Sequence, residues 1–476
     1  MEDLRFHTGS RVLLPLQDLT GVRVDILNYL FSMFMCLLLG HLYRKYLMTE
    51  RVSSSARHTY QIMTGMTLLV FCFGHQTVHV LIQSLLCYVM MRTMRPGLVE
   101  KLVLAVSLGY VFFSHIHRLV FDYGGFTMDI TGPLMINTQC LSALAYSLGD
   151  GQVKDKSKLN DTQKKQSVAS CPGVLQFTSY VLSFQKVLSG PFFFYKDYIR
   201  FVEGTTLLEH ITHKESPTVQ MCKNLFSAFL CSLVVLFIVP LFPIEYLKDD
   251  TFANSTWTYK VLYIVAVTTL ARFKYYVAWK LSAAVNQSAG MAYNGRDVEG
   301  RARWDLTDNV HILPVELELN MKGVLDNWNI NTSIWLRHVV YERVLVAPTV
   351  ASFAVSSVWH GLYPGYYMCM LGMALTVLAF RSARRALRPR FHTSTAKARL
   401  YDVITFISTR LGLSYITFPF VLLEFWPSLY TYAGIYFYYH ILCILAVIFL
   451  PARKSKPKET ALDDHGVQVD LDGKAK

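Results

Sequence analysis

Apolar runs of about twenty residues, separated by short charged patches, decide what this chain can fold into. They fall at 24–43, 60–91, 99–121, 130–148, 174–194, 219–243, 257–285, 332–358, 361–380, 401–426 and 429–450. A helix of about twenty such residues crosses a hydrocarbon core roughly 30 Å thick. A large soluble core would instead interleave polar residues at helical or strand period. Only 17% of the residues are charged, against about 25% in soluble domains. The expected fold is therefore all-α: a polytopic bundle of about ten or eleven transmembrane spans, some tilted or re-entrant, with boundaries open by several residues.

The connections carry the charge. Net charge is +13, an excess that in a soluble protein would suggest nucleic acid. Here the basic residues cap apolar segments and no nucleic-acid-binding motif is present, so anionic headgroups and cytoplasmic retention explain them. The 150–170 loop is polar and Lys-rich. Arg381, Arg384, Arg385, Arg388, Arg390, Lys397 and Arg399 crowd a second connection, and Arg453, Lys454, Lys456 and Lys458 follow the last run. The positive-inside bias puts these basic stretches in the cytosol, with 401–450 as a helical hairpin between the last two. The acidic 245–255 stretch, with the sequon Asn254-Ser255-Thr256, reads as a lumenal loop. Residues 1–20 suggest an interfacial helix, with Leu13, Leu14, Leu16 and Leu19 among mixed charges. The nine cysteines include no CxxC pair, so neither a zinc cage nor a disulfide framework is expected.

An ionisable residue inside an apolar run is costly and marks a candidate site. His75 and His79 stand four apart, but Gln76 replaces the Glu of the zinc-protease pattern, and a packing role is expected. His115 and His117 flank a run beside Arg118 and suit an interfacial role, while His440 has Tyr436, Tyr438 and Tyr439 for company. His360 differs. Gly361, Pro364 and Gly365 interrupt the helix just after it, and broken backbone at membrane depth is tolerated only against protein or a water-filled cavity. An imidazole there can serve as a general base or simply lie buried in a kinked helix. A second constellation is Asp326-Asn327-Trp328-Asn329, followed by Trp335, Arg337, Tyr341 and Arg343. Its Asn side chains could cap the following helix or hold a substrate hydroxyl or carbonyl. Arg337 and Tyr341, at i and i+4, could receive phosphates. No GxSxG elbow and no Walker-type loop occurs, which favours direct transfer over a covalent enzyme intermediate.

Together these stretches resemble the membrane-bound O-acyltransferase family in its lysophospholipid acyltransferase branch. The matching segments are Thr131-Gly132-Pro133-Leu134-Met135, Gly149-Asp150-Gly151, Ser189-Gly190-Pro191-Phe192-Phe193, Arg272-Phe273-Lys274-Tyr275-Tyr276, Asn294-Gly295 and Arg303-Trp304-Asp305. They continue in family order through Asp326-Asn327-Trp328-Asn329, Trp335-Leu336-Arg337, Tyr341-Glu342-Arg343, Val358-Trp359-His360-Gly361 and Tyr363-Pro364-Gly365-Tyr366-Tyr367. The wording looks most like the lysophosphatidylethanolamine and lysophosphatidylserine acyltransferases. The resemblance implies one membrane-embedded acyltransferase domain across residues 1–476, with a catalytic chamber inside the bilayer and 451–476 as a cytosolic tail. It matches His360 to the family's catalytic histidine and Asn329 to its catalytic asparagine, 31 positions apart. It also implies acyl-CoA as co-substrate, a lysophospholipid (lysophosphatidylethanolamine, lysophosphatidylserine or lysophosphatidylcholine) as acceptor, no metal, no tightly bound cofactor, and an endoplasmic reticulum membrane. Lys322, Trp335, Arg337, Tyr341 and Arg343 are candidates for holding the substrate and the CoA phosphates. Rival readings are a protein, sterol or diacylglycerol acceptor within the same family, or a transporter with His360 and Asn329 on its path.

Overall fold

A computed structural model describes residues 7–125, 127–204 and 216–450, and a two-residue strand pair, Ala461–Leu462 with Gln468–Val469. The rest of the 451–476 tail lies outside the described residues. Seven described helices, single or continued through a short break, are long and apolar enough to cross a bilayer, or up to eight with one bent pair. This makes the chain a multi-pass, all-α membrane protein.

The N-terminal half opens with α1 (Leu14–Thr20), none of whose residues is buried. Then come α2 (Val24–Leu42), α3 (Ser54–Phe73), α4 (Thr77–Thr93) and α5 (Val99–Phe121). Between α3 and α4 the backbone tightens at Gly74–Gln76, so His75 and His79 do not lie on one continuous α-helix. His79 instead hydrogen-bonds Tyr110 at 3.0 Å. The next helix, α6 (Thr131–Gln152), covers the expected 130–148 span and is more polar than the helices named above as apolar enough to cross. It is a buried pillar, with the Asn137 Nδ2 donating to Gln83 (2.8 Å) and Ser84 (2.9 Å) on α4. Such amide bonds hold helices together where no hydrophobic force between them is available.

The apolar run at 174–194 is not a span. After α7 (Asp161–Gln166), only α8 (Val174–Val181) is helical there, and irregular backbone follows to α9 (Tyr195–Glu203). Ser183, Gln185, Lys186 and Ser189 would be stranded in lipid on a continuous helix. Here protein groups surround them: Ser183 donates to the Gln185 side-chain oxygen at 2.5 Å, Asn286 donates to the Gln185 main-chain carbonyl at 3.2 Å, Tyr29 donates to Ser189 at 3.0 Å, and the Lys186 ammonium sits 3.4 Å from the centre of the Tyr180 ring. Irregular backbone survives at membrane depth when protein surrounds it.

The C-terminal half holds α10 (Thr218–Phe237), α11 (Asp250–Ala253), α12 (Trp257–Ala271) and α13 (Phe273–Ala289), and then the short pieces α14 (Ile312–Leu317), α15 (Met321–Asn327) and α16 (Ile330–Leu336). A wide π turn (Arg337–Tyr341) leads to α17 (Pro348–His360), α18 (Pro364–Phe391), α19 (Thr395–Leu422), α20 (Phe425–Gly434) and α21 (Tyr438–Phe449). The pair α20–α21 bends by 78°. The π turn and the bend after it break the 332–358 run, so that among the described residues seven or eight segments are long and apolar enough to cross, against the ten or eleven spans expected.

Two faces can be told apart by their polar contacts. One carries the Arg-rich end of α18, where Arg381 reaches Thr349 (3.3 Å), and the Lys-rich loop, where Asn160 reaches Glu342 (2.7 Å). The opposite face carries Lys248 bridging Glu245 (2.6 Å) and Glu424 (2.5 Å). The sequon segment therefore lies across the molecule from the Arg-rich end of α18. Two hydrophobic cores fill the bundle. One centres on α2–α6 and includes Trp335 and Trp359; the other, rich in tyrosine, centres on α12–α15 and α18–α21.

Candidate active site

Between those cores, α16 and α17 form a hairpin. From Asn329 the chain climbs α16 and the π turn to the basic face, reverses over Val344–Ala347, and descends α17 to His360. The pillar α6 runs alongside and serves as a ruler. Gln139 donates to Thr332 (2.9 Å), Trp335 to Ser142 (2.9 Å), and Arg343 to Asp150 (2.7 and 2.8 Å). On the descending arm, Trp359 donates to the Met135 carbonyl at 2.9 Å. Asn329, three residues below Thr332, and His360, one beyond Trp359, thus stand within about one helical turn of each other in height, at 5.4 Å per turn. Two positions separated by 31 residues thus stand at a similar level along α6.

Asn329 begins α16 but does not cap it. Its side chain makes no capping bond, and its backbone is left-handed (φ 47°, ψ 50°). Asn is among the few non-glycine residues that accept this region, at a cost of about 1–3 kcal/mol. An antiparallel crossing holds it there: Ile330 N donates to the Asn309 carbonyl (2.9 Å), His311 N to the Asn327 carbonyl (3.1 Å), and Val310 pairs with Trp328. Asn309 Nδ2 donates to Asn329 Oδ1 at 3.1 Å, and Asn331 N donates to Asn309 Oδ1 at 2.9 Å. Trp328 is wedged against Trp279 (4.8 Å), Tyr275 (5.7 Å) and Tyr276 (5.9 Å). Beneath, Arg272 grips Glu316 of α14 with a fork at 2.8 and 2.6 Å, and Tyr276 donates to the same carboxylate at 2.6 Å. Next door, burial pushes the Asp308 carboxyl up to about 6, against the pull of Lys280 and His311.

The surroundings of His360 are aromatic rather than amide-rich. Its ring lies 4.7 Å from Trp359, 5.8 Å from Tyr366 and 5.0 Å, edge to face, from Phe420. Among the described residues none hydrogen-bonds its imidazole, and the residue as a whole is only partly buried. The helix stops at Gly361, whose φ of 132° excludes a side chain, and a Cβ there would press on His115 and Tyr366. Gly365 restarts the chain by donating its N–H to the Leu423 carbonyl at 2.8 Å. A Cβ at Gly365 would overlap the Pro419 carbonyl.

His115 corrects an expectation. It is buried rather than interfacial, and its Nε2 donates at 3.2 Å to the Trp359 carbonyl, which the break has deprived of a helical partner. The sequence signal was present only as a histidine in an apolar run; the partner 244 positions away was not readable. Asn309 was missed outright, because nothing in its neighbourhood marks it apart from other loop polar residues. His440 shares a 2.8 Å bond with Tyr415 inside the second core.

The other candidates divide. Trp335 has 0% exposure and is corrected from substrate contact to packing against Trp359 (5.9 Å). Arg343 turns Nη1 and Nη2 to Asp150 and Nε to the His338 carbonyl (2.9 Å), so its guanidinium ties α6 to the hairpin instead of facing a phosphate. Lys322, paired with Asp326, and Arg337, paired with Glu342 at 2.8 Å, are exposed, as is Tyr341.

Comparison with known proteins bears on this arrangement. The profile of the membrane-bound O-acyltransferase family matches residues 104–420, a stretch that contains both Asn329 and His360. The chain belongs to that family. Over 460 residues it is 38% identical to lysophospholipid acyltransferase 6 of Drosophila melanogaster, covering 94% of this chain and 64% of the fly protein. It is 36% identical to membrane-bound glycerophospholipid O-acyltransferase 1 of Mus musculus, covering 98% of this chain and 97% of the mouse protein. It is also 36% identical to membrane-bound glycerophospholipid O-acyltransferase 2 of Homo sapiens, covering 95% and 90%.

Proposed function

We propose that this protein transfers a fatty acyl group from acyl-CoA to the free hydroxyl of a lysophospholipid, with His360 as general base and Asn329 as its partner. Family membership and the names of its relatives support acyl transfer to a glycerophospholipid. One observation carries the choice of residues: an unbonded imidazole and an amide, at the deep ends of one hairpin, stand at the same height on α6. In the reaction His360 takes the hydroxyl proton as that oxygen attacks the thioester carbonyl carbon. A C–O bond forms, the C–S bond breaks, and the proton passes to the departing thiolate, releasing CoA. Asn329 orients the hydroxyl or the thioester, or stabilises the charge that develops on the carbonyl oxygen.

Acyl-CoA enters from the basic, cytosolic face of an endoplasmic reticulum membrane, and the lysophospholipid from the bilayer. Lys322, Arg337 and Tyr341 are the exposed candidates for the CoA phosphates. No metal or tightly bound cofactor is required, since CoA is itself the leaving group. The test uses purified protein with labelled acyl-CoA and a panel of lysophospholipids, a sterol, diacylglycerol and a peptide. Transfer to a lysophospholipid that is lost in both His360→Ala and Asn329→Ala, with both variants folded, is the expected result. Unimpaired turnover by His360→Ala overturns the residue assignment; product on the peptide, the sterol or diacylglycerol alone overturns the acceptor.

A further inference from the structure

The proposed function leaves open whether Asn329 donates or accepts a hydrogen bond at the reacting centre, and its neighbours answer that. A carboxamide has one end that donates and one that accepts, and which way it points must be fixed by its partners. A backbone N–H can only donate. The Asn331 N–H lies 2.9 Å from one end of the Asn309 side chain, so that end is the carbonyl oxygen. The other end of Asn309 is therefore the NH2 group, and it faces the Asn329 side chain at 3.1 Å. Since an NH2 can only donate, the Asn329 atom that meets it is the carbonyl oxygen. The NH2 of Asn329 is left pointing away, and among the described residues nothing accepts from it. Asn309 is itself buried, at 5% exposure, and its own carbonyl receives the Ile330 N–H, so three of its atoms hold residues 329–331.

We infer that Asn309 is a positioning residue that turns the Asn329 amide so that its NH2 faces the reaction, making Asn329 a hydrogen-bond donor to the thioester oxygen rather than an acceptor for the lysophospholipid hydroxyl. The inference rests on the acyl-transfer reading above and deepens it. As the hydroxyl oxygen adds to the thioester carbon, the carbonyl π pair moves onto oxygen and negative charge builds there. A donor already aimed at that atom stabilises the charge without reorganising, an effect commonly worth about 10²–10³ in rate. An acceptor in the same place would repel it. The left-handed backbone of Asn329 keeps the amide within reach of Asn309, so strain and hydrogen bonding serve one orientation.

The test is an ordering of isosteric variants in the full-length purified protein, with oleoyl-CoA and lysophosphatidylethanolamine as substrates. Asn309→Asp keeps the acceptor that the Asn331 N–H needs but presents a carboxylate to Asn329, which must then turn its NH2 toward residue 309. A purely structural role predicts Asn309→Asp milder than Asn309→Ala. The positioning role predicts the reverse: Asn309→Asp falls about 100-fold in kcat with the KM for oleoyl-CoA little changed, and Asn309→Ala falls only about tenfold.

Acid should partly restore Asn309→Asp, because the protonated carboxyl can again donate to Asn329 Oδ1; its rate relative to wild type should rise as pH falls from about 8 to about 6. The charged groups around this site are Asp305 and Asp308 on the same loop, Lys280 of α13, whose Nζ bonds the Val310 carbonyl at 3.0 Å, and His311, 3.9 Å from Asp308. All are present in both proteins, so the ratio reports the introduced carboxyl together with its coupling to the neighbouring Asp308. Asn329→Asp, tested beside them, should be as inactive as Asn329→Ala.

Asn309→Asp faster than Asn309→Ala without recovery in acid, or an active Asn329→Asp, overturns the donor assignment. Should Asn309→Asp fail to fold, the Asn329→Asp comparison decides alone. Activity in His360→Ala and Asn329→Ala would instead remove the underlying reading, so the two failures are distinguishable.

Discussion

The two arms of the hairpin end in opposite kinds of surroundings. Asn329 is held by amides and backbone: Asn309 on its side chain and a short antiparallel crossing on its main chain. His360 is held by shape: Trp359, Tyr366 and Phe420 enclose its ring without bonding its nitrogens. An amide is useful to a reaction only if its dipole is aimed, and aiming needs hydrogen-bond partners. An imidazole that must take and return a proton needs at least one nitrogen unoccupied, and here aromatic packing holds the ring while leaving both unbonded among the described residues. The difference teaches that one site can be built by two kinds of positioning, each suited to the group it holds.

The sharpest break of this comparison is removal of the two groups themselves. His360→Ala and Asn329→Ala should each lower kcat by about 10²–10⁴, read as product formed by protein that melts at the wild-type temperature. Second in size is the floor under the amide arm. Glu316→Ala leaves the Arg272 guanidinium buried and unpaired, which should cost about 3–5 kcal/mol, seen as a fall in the midpoint of thermal unfolding in detergent. An unchanged midpoint would show that α14 is held by packing alone.

Third is the hydrogen bond from His115 at the end of the aromatic arm. His115→Phe leaves the Trp359 carbonyl without its donor, which should cost about 1–3 kcal/mol. It should lower kcat about tenfold with KM little changed, and His115→Gln, still able to donate, should recover part of it. If the two variants behave alike, the hydrogen bond has no part in placing His360. The smallest effect belongs to the exposed ends. Lys322→Ala and Arg337→Ala should raise the KM for acyl-CoA by no more than about threefold, and less in high salt, because exposed charges are screened. A tenfold rise for either would put that residue against the phosphates.

Legibility followed the length scale of the interaction. Apolar runs announced the membrane, because lipid tests every residue of a span in the same way. The runs at 174–194 and 332–358 misled, because apolar content cannot say whether a segment meets lipid or protein. Gln185 and Lys186 were visible polar exceptions, yet Asn286, which binds the Gln185 main chain, and Cys140, which meets the Lys186 ammonium, lie far away in the chain. His360 stood out through the local break at Gly361 and Pro364. Asn329 did so only within the ordered set of family motifs, since an asparagine at a helix start is ordinarily a cap. Trp335 and Arg343 looked like ligands because nothing nearby revealed Ser142 and Asp150, each 193 positions away.

By itself, then, the order of residues settled the solvent and the helical class and offered two side chains as candidates for the chemistry, since these depend on local composition, on a break in a few consecutive residues or on an ordered set of motifs. Tertiary structure alone decided that α6 sets both groups at one height, that His115 caps one arm, and which end of the Asn329 amide is free. Those outcomes rest on hydrogen bonds, whose direction and length are fixed only when groups distant along the chain are brought within about 3 Å.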